Sequence, residues 1–176
     1  MDMNFETRQD VTIEEYINMI RLKTSVLVGG AFQIGALVAN AKEFESELIY
    51  EFGVNLGIAF QLRDDYLDCF GDPKKFGKQV GGDIISNKKT FMMLKALEMD
   101  STGELQDIIS TKVFDPEEKV ESVKALYKKL NIDALAFDLM NEYYAKAIDR
   151  LHQIESLEDA KNKIIRFAED LMRRSS

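Results

Sequence analysis

Asp64, Asp65 and Asp68 place three carboxylates within five residues, and Gln61 stands one helical turn ahead of them. At 3.6 residues per turn, positions 61, 64, 65 and 68 fall on one face of a helix. Asp64 and Asp68 are then ~6 Å apart along the axis, and at an effective dielectric near 20 they repel by about 2.8 kcal/mol. Such a set either raises its own pKa values or gathers a cation. Hard oxygen ligands of this kind suit Mg2+, which keeps waters and bridges to phosphates. Two turns earlier the same face reads Val54, Gly57 and Ile58, so one stripe passes from apolar and roomy to acidic. A lysine-rich loop follows, in which Lys74, Lys75, Lys78, Lys88 and Lys89 outnumber Asp72 and Asp83. Those cations could clamp an anion that the metal also holds, and the loop glycines let backbone approach it closely. The plainer alternative is a solvent-facing acidic patch balanced by neighbouring lysines.

These side chains need helices to hold them. Thr12-Ile13-Glu14-Glu15 has the form of a capping box and opens the first helix, which runs apolar through Tyr16, Met19 and Ile20. From Thr24 to Val38 it is almost wholly apolar but carries Gly29, Gly30 and Gly35. Glycine costs a helix ~1 kcal/mol relative to alanine, so close packing or a kink is expected there. A break after Lys23-Thr24 would also free backbone carbonyls for a ligand. The pattern predicts a second long helix from about Glu43 to Phe70, then a loop from Gly71 to Asn87. Helix returns over Lys89–Met99 and from Ser101 or Thr102 to Lys112. Asp115-Pro116-Glu117-Glu118 starts another that ends near Leu130-Asn131. Asp133–Gln153 and Ser156–Arg174 supply two more. Their charged faces, Lys124, Lys128 and Lys129 among them, read as solvated.

The remaining numbers exclude whole classes. A chain of 176 residues suits one domain, spanning 1–176. A formal net charge of -8 argues against nucleic acid as a partner. The single cysteine, Cys69, leaves no internal disulfide and fits a cytoplasmic, reducing setting. No apolar run reaches the ~20 residues that span a bilayer, and the first residues do not form a signal peptide. His152 is the only histidine, so a carboxylate-bridged di-iron bundle, which needs two Glu-x-x-His pairs, is excluded. The expected fold is all-α, an antiparallel helical bundle.

Phe60-Gln61 leading into Asp64-Asp65-Tyr66-Leu67-Asp68, then Phe76-Gly77-Lys78, Gly82-Asp83-Ile84 and Asn87-Lys88-Lys89-Thr90, resembles the second aspartate-rich region of the trans-isoprenyl diphosphate synthases. Met19-Ile20-Arg21-Leu22-Lys23-Thr24 resembles that family's Lys-Thr segment. The resemblance implies an isoprenoid-synthase-like helical bundle and a prenyl transferase that condenses an allylic diphosphate with isopentenyl diphosphate, giving farnesyl, geranylgeranyl or longer products. It implies that Asp64, Asp65 and Asp68 hold Mg2+, with Asp83 supporting the metal shell through water. It assigns Lys23, Lys78 and Lys88 to the diphosphate, and Thr24 and Gln61 to the allylic cation as oxygen dipoles. Family members carry a first Asp-x-x-Asp motif and an isopentenyl diphosphate site, whereas this chain has one Asp-Asp pair, Asp64-Asp65. The expectation is therefore a chain that matches the C-terminal portion of the family, with the N-terminal helices missing, inactive alone and part of a homodimer. The alternative is a non-catalytic helical module that binds metal-diphosphate or associates with itself.

Overall fold

A computed structural model of the chain describes residue 8 and residues 10–72, 80–155 and 158–173. The described residues form helices and no strands, in agreement with the all-α expectation. In chain order these are α1 (Ile13–Ile20), a widened turn (Arg21–Ser25), α2 (Val26–Val38), α3 (Glu43–Phe70), α4 (Gly82–Ile85), α5 (Phe91–Met99), α6 (Glu104–Ser110), α7 (Pro116–Lys129), α8 (Ile132–His152) and α9 (Glu158–Arg173).

Local chemistry sets the ends. The Thr12 amide donates to Glu15 Oε2 at 3.0 Å and the Glu15 amide to Thr12 Oγ1 at 3.2 Å, a closed capping box. Asp115 Oδ1 accepts from the Glu117 and Glu118 amides, and Pro116 takes the first helical position. Thr90 Oγ1 accepts the Met93 amide, so α5 begins at Phe91 rather than at Lys89. Asp100 Oδ2 accepts from Leu105 across Gly103 at φ 79°, which delays α6 until Glu104. The expected loop from Gly71 to Asn87 contains one helical turn, α4, entered through Gly81 at φ 91°. Alanine at Gly81 would also bring a Cβ to 2.7 Å from Val120, so glycine is required there on both counts.

The helices divide into two compact units. The first comprises the described residues up to Ile17 together with Asp64–Phe137. Its core gathers Tyr16, Ile84, Met93, Leu105, Val123, Leu126, Tyr127 and Ile132, all buried. The second comprises Asn18–Arg63 and the described residues from Asp138 onward. There Ile49, Phe52 and Leu56 of α3 pack with Ala147 and Leu151 of α8 and Ala168 of α9. Phe32 of α2 closes edge-on against Phe52, with centroids 5.1 Å apart, a geometry favoured by the ring quadrupoles.

The glycine pattern of α2 separates into two cases. A Cβ on Gly29 would lie 2.7 Å from Val54 Cγ2 and 2.8 Å from the Tyr50 carbonyl oxygen, so this glycine permits the α2–α3 crossing. Gly30 and Gly35 have open space around them and no packing reason. The room that the sequence suggests beside Val54, Gly57 and Ile58 is filled. Val54 meets Gly29, a Cβ on Gly57 would stand 2.8 Å from Ser25 Cα, and Ile58 is buried.

Candidate functional site

The C-terminal turns of α3 bring Asp64, Asp65 and Asp68 into the first unit, and the turn after α4 brings Lys88 and Asp83 to them. The acids do not share one environment, as a single acidic face would require. Asp65 is turned inward and is 8% exposed, while Asp64 and Asp68 are half-buried. Its neighbour one turn on, Cys69, is buried on the same side, with a thiol pushed up to about 12 by burial.

Lys88 lies between two carboxylates. Its Nζ is 2.9 Å from Asp65 Oδ1 and 2.7 Å from Asp83 Oδ2. The other Asp65 oxygen, Oδ2, accepts the Tyr16 hydroxyl at 2.6 Å, and that tyrosine is fully buried. Asp68 Oδ2 accepts the Asp83 amide at 2.9 Å, and Gly81 donates to the Asp68 carbonyl, so the end of α3 and the start of α4 are tied twice. Burial raises the pKa of Asp65 against the pull of Lys88 and Tyr16. Burial likewise raises Asp83 and Asp68, with Asp68 adding like charge to Asp83 and with Asp65 and Asp64 adding it to Asp68. Burial opposes the charge of Lys88, yet Asp65 and Asp83 outweigh it and hold its pKa above the usual lysine value. Among the described residues the cluster is a set of buried and half-buried acids in which Lys88 bridges Asp65 and Asp83.

Two further side chains set this geometry, and the sequence reading passed over both. Tyr16 reads as one more apolar position of α1, although a buried tyrosine hydroxyl needs a partner. Lys119 on α7 is 4% exposed and donates to the Ile85 carbonyl at 3.1 Å and to Asn87 Oδ1 at 2.7 Å. Asn87 has φ 53° and also donates to the Ile109 carbonyl at 3.0 Å. These bonds fix the turn that delivers Lys88. Burial lowers the pKa of Lys119, whose ammonium also sits 4.1 Å over the Phe114 ring.

Lys23, Thr24 and Gln61 belong to the second unit. Lys23 and Thr24 occupy the widened turn, where the Val26 amide reaches back five residues to the Arg21 carbonyl. The helix therefore loosens at this segment instead of breaking, a local form often found at functional positions. Ser25, at its end, is fully buried. Gln61 is half-buried on α3. Lys74, Lys75 and Lys78 lie outside the described residues. Among the described residues no three Asp, Glu, His or Cys side chains converge as a ready cation cage. The donor chemistry nevertheless fits a hard divalent ion: every candidate ligand is a carboxylate oxygen, and positive charge is already stabilised where Lys88 stands. Carboxylates alone leave such a shell incomplete, which suits an ion that shares itself with waters and phosphate oxygens.

Neutralising Asp68 tests whether these acids are held for stability or for function. Asn in its place keeps an acceptor for the Asp83 amide and removes one of the crowded charges. A carboxyl whose folded pKa is raised contributes stability that is fully present below its unfolded value and is lost as pH rises through the folded one. At pH 7 and without metal, Asp68→Asn is therefore expected to raise Tm slightly, by ~1 °C, because solvent screens most of the repulsion at this half-exposed carboxyl. The advantage should fade below the ordinary aspartate value of 3.8, where the wild-type carboxyl is itself protonated. A lower Tm for the variant at pH 7 would show that Asp68 is a structural anion.

Comparison with known proteins places this arrangement in a lineage. Residues 1–130 match the polyprenyl synthetase family model. The chain is 39% identical to a geranylgeranyl diphosphate synthase of Sulfolobus acidocaldarius over 99% of its own length and 53% of that protein. A solved geranylgeranyl pyrophosphate synthase superposes with a TM-score of 0.92 at 45% identity, covering 99% of this chain and 55% of that one. A polyprenyl synthase of Caulobacter crescentus, solved in complex with calcium and isoprenyl diphosphate, gives 0.87 at 25% identity, covering 99% of this chain and 53% of its own. The chain belongs to the polyprenyl synthetase family. It spans about half the length of these relatives.

Proposed function

We propose that this chain supplies the metal- and diphosphate-binding portion of a Mg2+-dependent trans-prenyltransferase, which joins an allylic diphosphate to isopentenyl diphosphate. One observation carries the reading: in a polyprenyl synthetase chain, Asp64 and Asp68 stand beside an Asp65–Lys88–Asp83 array whose inner member, Asp65, is buried. Mg2+ held by Asp64, Asp65 and Asp68, with Asp83 acting through water, would neutralise the charge that develops on a departing diphosphate. The calcium and isoprenyl diphosphate of the Caulobacter protein support a divalent ion and a diphosphate as the ligands. Lys88 is placed to exchange a carboxylate contact for a phosphate oxygen, and the family motif assigns Lys78 to the same diphosphate. The roles of Lys23 at the diphosphate, and of Thr24 and Gln61 toward the allylic cation, rest on the family motifs alone. Buried Cys69 remains a thiol in the reducing cytoplasm where we place the reaction.

The chain has one Asp-Asp pair, and a site of this class uses acids from two segments. The 176 residues by themselves are thus expected to give no measurable condensation from labelled isopentenyl diphosphate and geranyl diphosphate. A chimera joining them to the first half of the Sulfolobus acidocaldarius relative should give Mg2+-dependent product. Turnover by the chain alone would contradict the division of labour, and an inert, well-folded chimera would contradict the proposed function.

We also propose that copies of this chain associate, with a homodimer as the first product. Leu27, Ile34, Leu37 and Val38 of α2 are 54% exposed or more, on a helix apolar on nearly all sides. Such a surface ordinarily finds a partner. Light scattering should give a mass at or above twice 20.1 kDa; a monomer at high concentration would contradict this.

A further inference from the structure

Asp65 has two oxygens with different partners. Oδ2 accepts the hydroxyl of Tyr16 at 2.6 Å, deep in the first unit, and Oδ1 accepts the ammonium of Lys88 at 2.9 Å. Tyr16 is itself 0% exposed, so its ring cannot swing away without disturbing the core. It comes from α1, 49 residues earlier in the chain, and is rooted by the capping box at Thr12 and Glu15. The carboxylate plane of Asp65 is therefore fixed at one corner, and a single oxygen is left for the cationic side.

On the reading under Proposed function, we infer that Tyr16 is a positioning residue that makes Asp65 a one-oxygen ligand toward the cation and thereby tunes the site for Mg2+ over larger ions. Mg2+ demands near-octahedral geometry with compact, single-oxygen contacts, whereas Ca2+ takes more ligands and accepts both oxygens of a carboxylate. A tyrosine that withholds Oδ2 disfavours the larger ion. Without the hydroxyl, Oδ2 is released, and Asp65, held then only through Oδ1 by Lys88, can present both oxygens. Hydrogen-bond partners behind ligating groups typically alter metal affinity by ~10–100-fold when removed.

Tyr16→Phe keeps the buried ring and deletes only the donor. Geranyl diphosphate binding to the chain, measured calorimetrically with Mg2+ or Ca2+ as the added ion, should weaken about tenfold in Mg2+ and hold or tighten in Ca2+. A purely structural role would weaken both equally, and that result, or no change in either, overturns the inference while leaving the proposed function standing. No binding by the unsubstituted chain in either ion overturns the proposed function and the inference with it. Folding equilibria supply the second arm. Tyr16→Phe should lower the folding constant about tenfold in the parent sequence, and by much less, or in the opposite direction, in an Asp65→Ala background. Equal effects in both backgrounds would show that Tyr16 does not act through Asp65.

Discussion

Asp64→Ala, carried in the chimera with the Sulfolobus acidocaldarius half, is expected to lower kcat by about 10^2–10^3 while Tm moves by no more than ~2 °C. The contrast with its neighbours is the reason. Asp65 and Asp83 are tied to Lys88, and Asp68 accepts the Asp83 amide. Asp64 makes no hydrogen bond or ion pair with any described residue, yet it is half-buried beside Asp68. A carboxylate kept in that position contributes like-charge repulsion and nothing evident to the fold. On the proposed function its use comes from a ligand. Removing it takes one oxygen from the cation that would balance the leaving diphosphate, so rate is lost where charge develops. Steady-state kinetics alongside thermal melts separate the two effects. An unchanged kcat would remove Asp64 from the metal site.

Lys88→Met should be the most destabilising single change at this cluster, by about 2 kcal/mol at pH 7. Breaking a buried charge pair by deleting one partner costs ~3–5 kcal/mol; the lower figure allows for a lysine side chain that is 43% exposed and partly screened. Methionine preserves the stem but leaves Asp65 and Asp83 facing each other without their shared cation. Both carboxyls already have raised pKa values from burial, and losing Lys88 raises them further. Because the protonated form is the one the fold prefers, the penalty must shrink as pH falls through those folded values. Urea titrations at pH 7 and at pH 4.5 or below measure this. A penalty that is constant with pH, or larger in acid, would contradict the picture of two acids sharing one ammonium.

Much of the helical frame was legible in the residues because it is set by local chemistry. The Thr12–Glu15 box, the Asp115-Pro116 start and the bounds of α3 each depend on side chains within a turn or two of one another. What could not be read depends on contacts across the chain. Periodicity puts Asp64 and Asp65 on adjacent arcs of α3, and only the partners, Tyr16 from 49 residues away and Lys88 from 23, decide that Asp65 faces inward. The cation that lies between Asp65 and Asp83 is Lys88, whereas Arg63, next to Asp64 in the chain, donates to the Leu171 carbonyl in the second unit. The short helix α4 is hidden among glycines and is created by the Asp68 carboxylate capping the Asp83 amide. Gly57 looked like open room and is closed by Ser25, a contact that no spacing rule contains.

The central claim, that these acids and lysines form a metal-diphosphate site, is tested most directly by calorimetric titration of the 176-residue chain with inorganic pyrophosphate. Heat of binding is predicted in the presence of Mg2+, none with the ion chelated, and at least a tenfold weaker response when Asp64 and Asp68 are both changed to Asn. Binding that is equally strong without Mg2+ and in the doubly substituted chain, or no binding under any of these conditions, would contradict it.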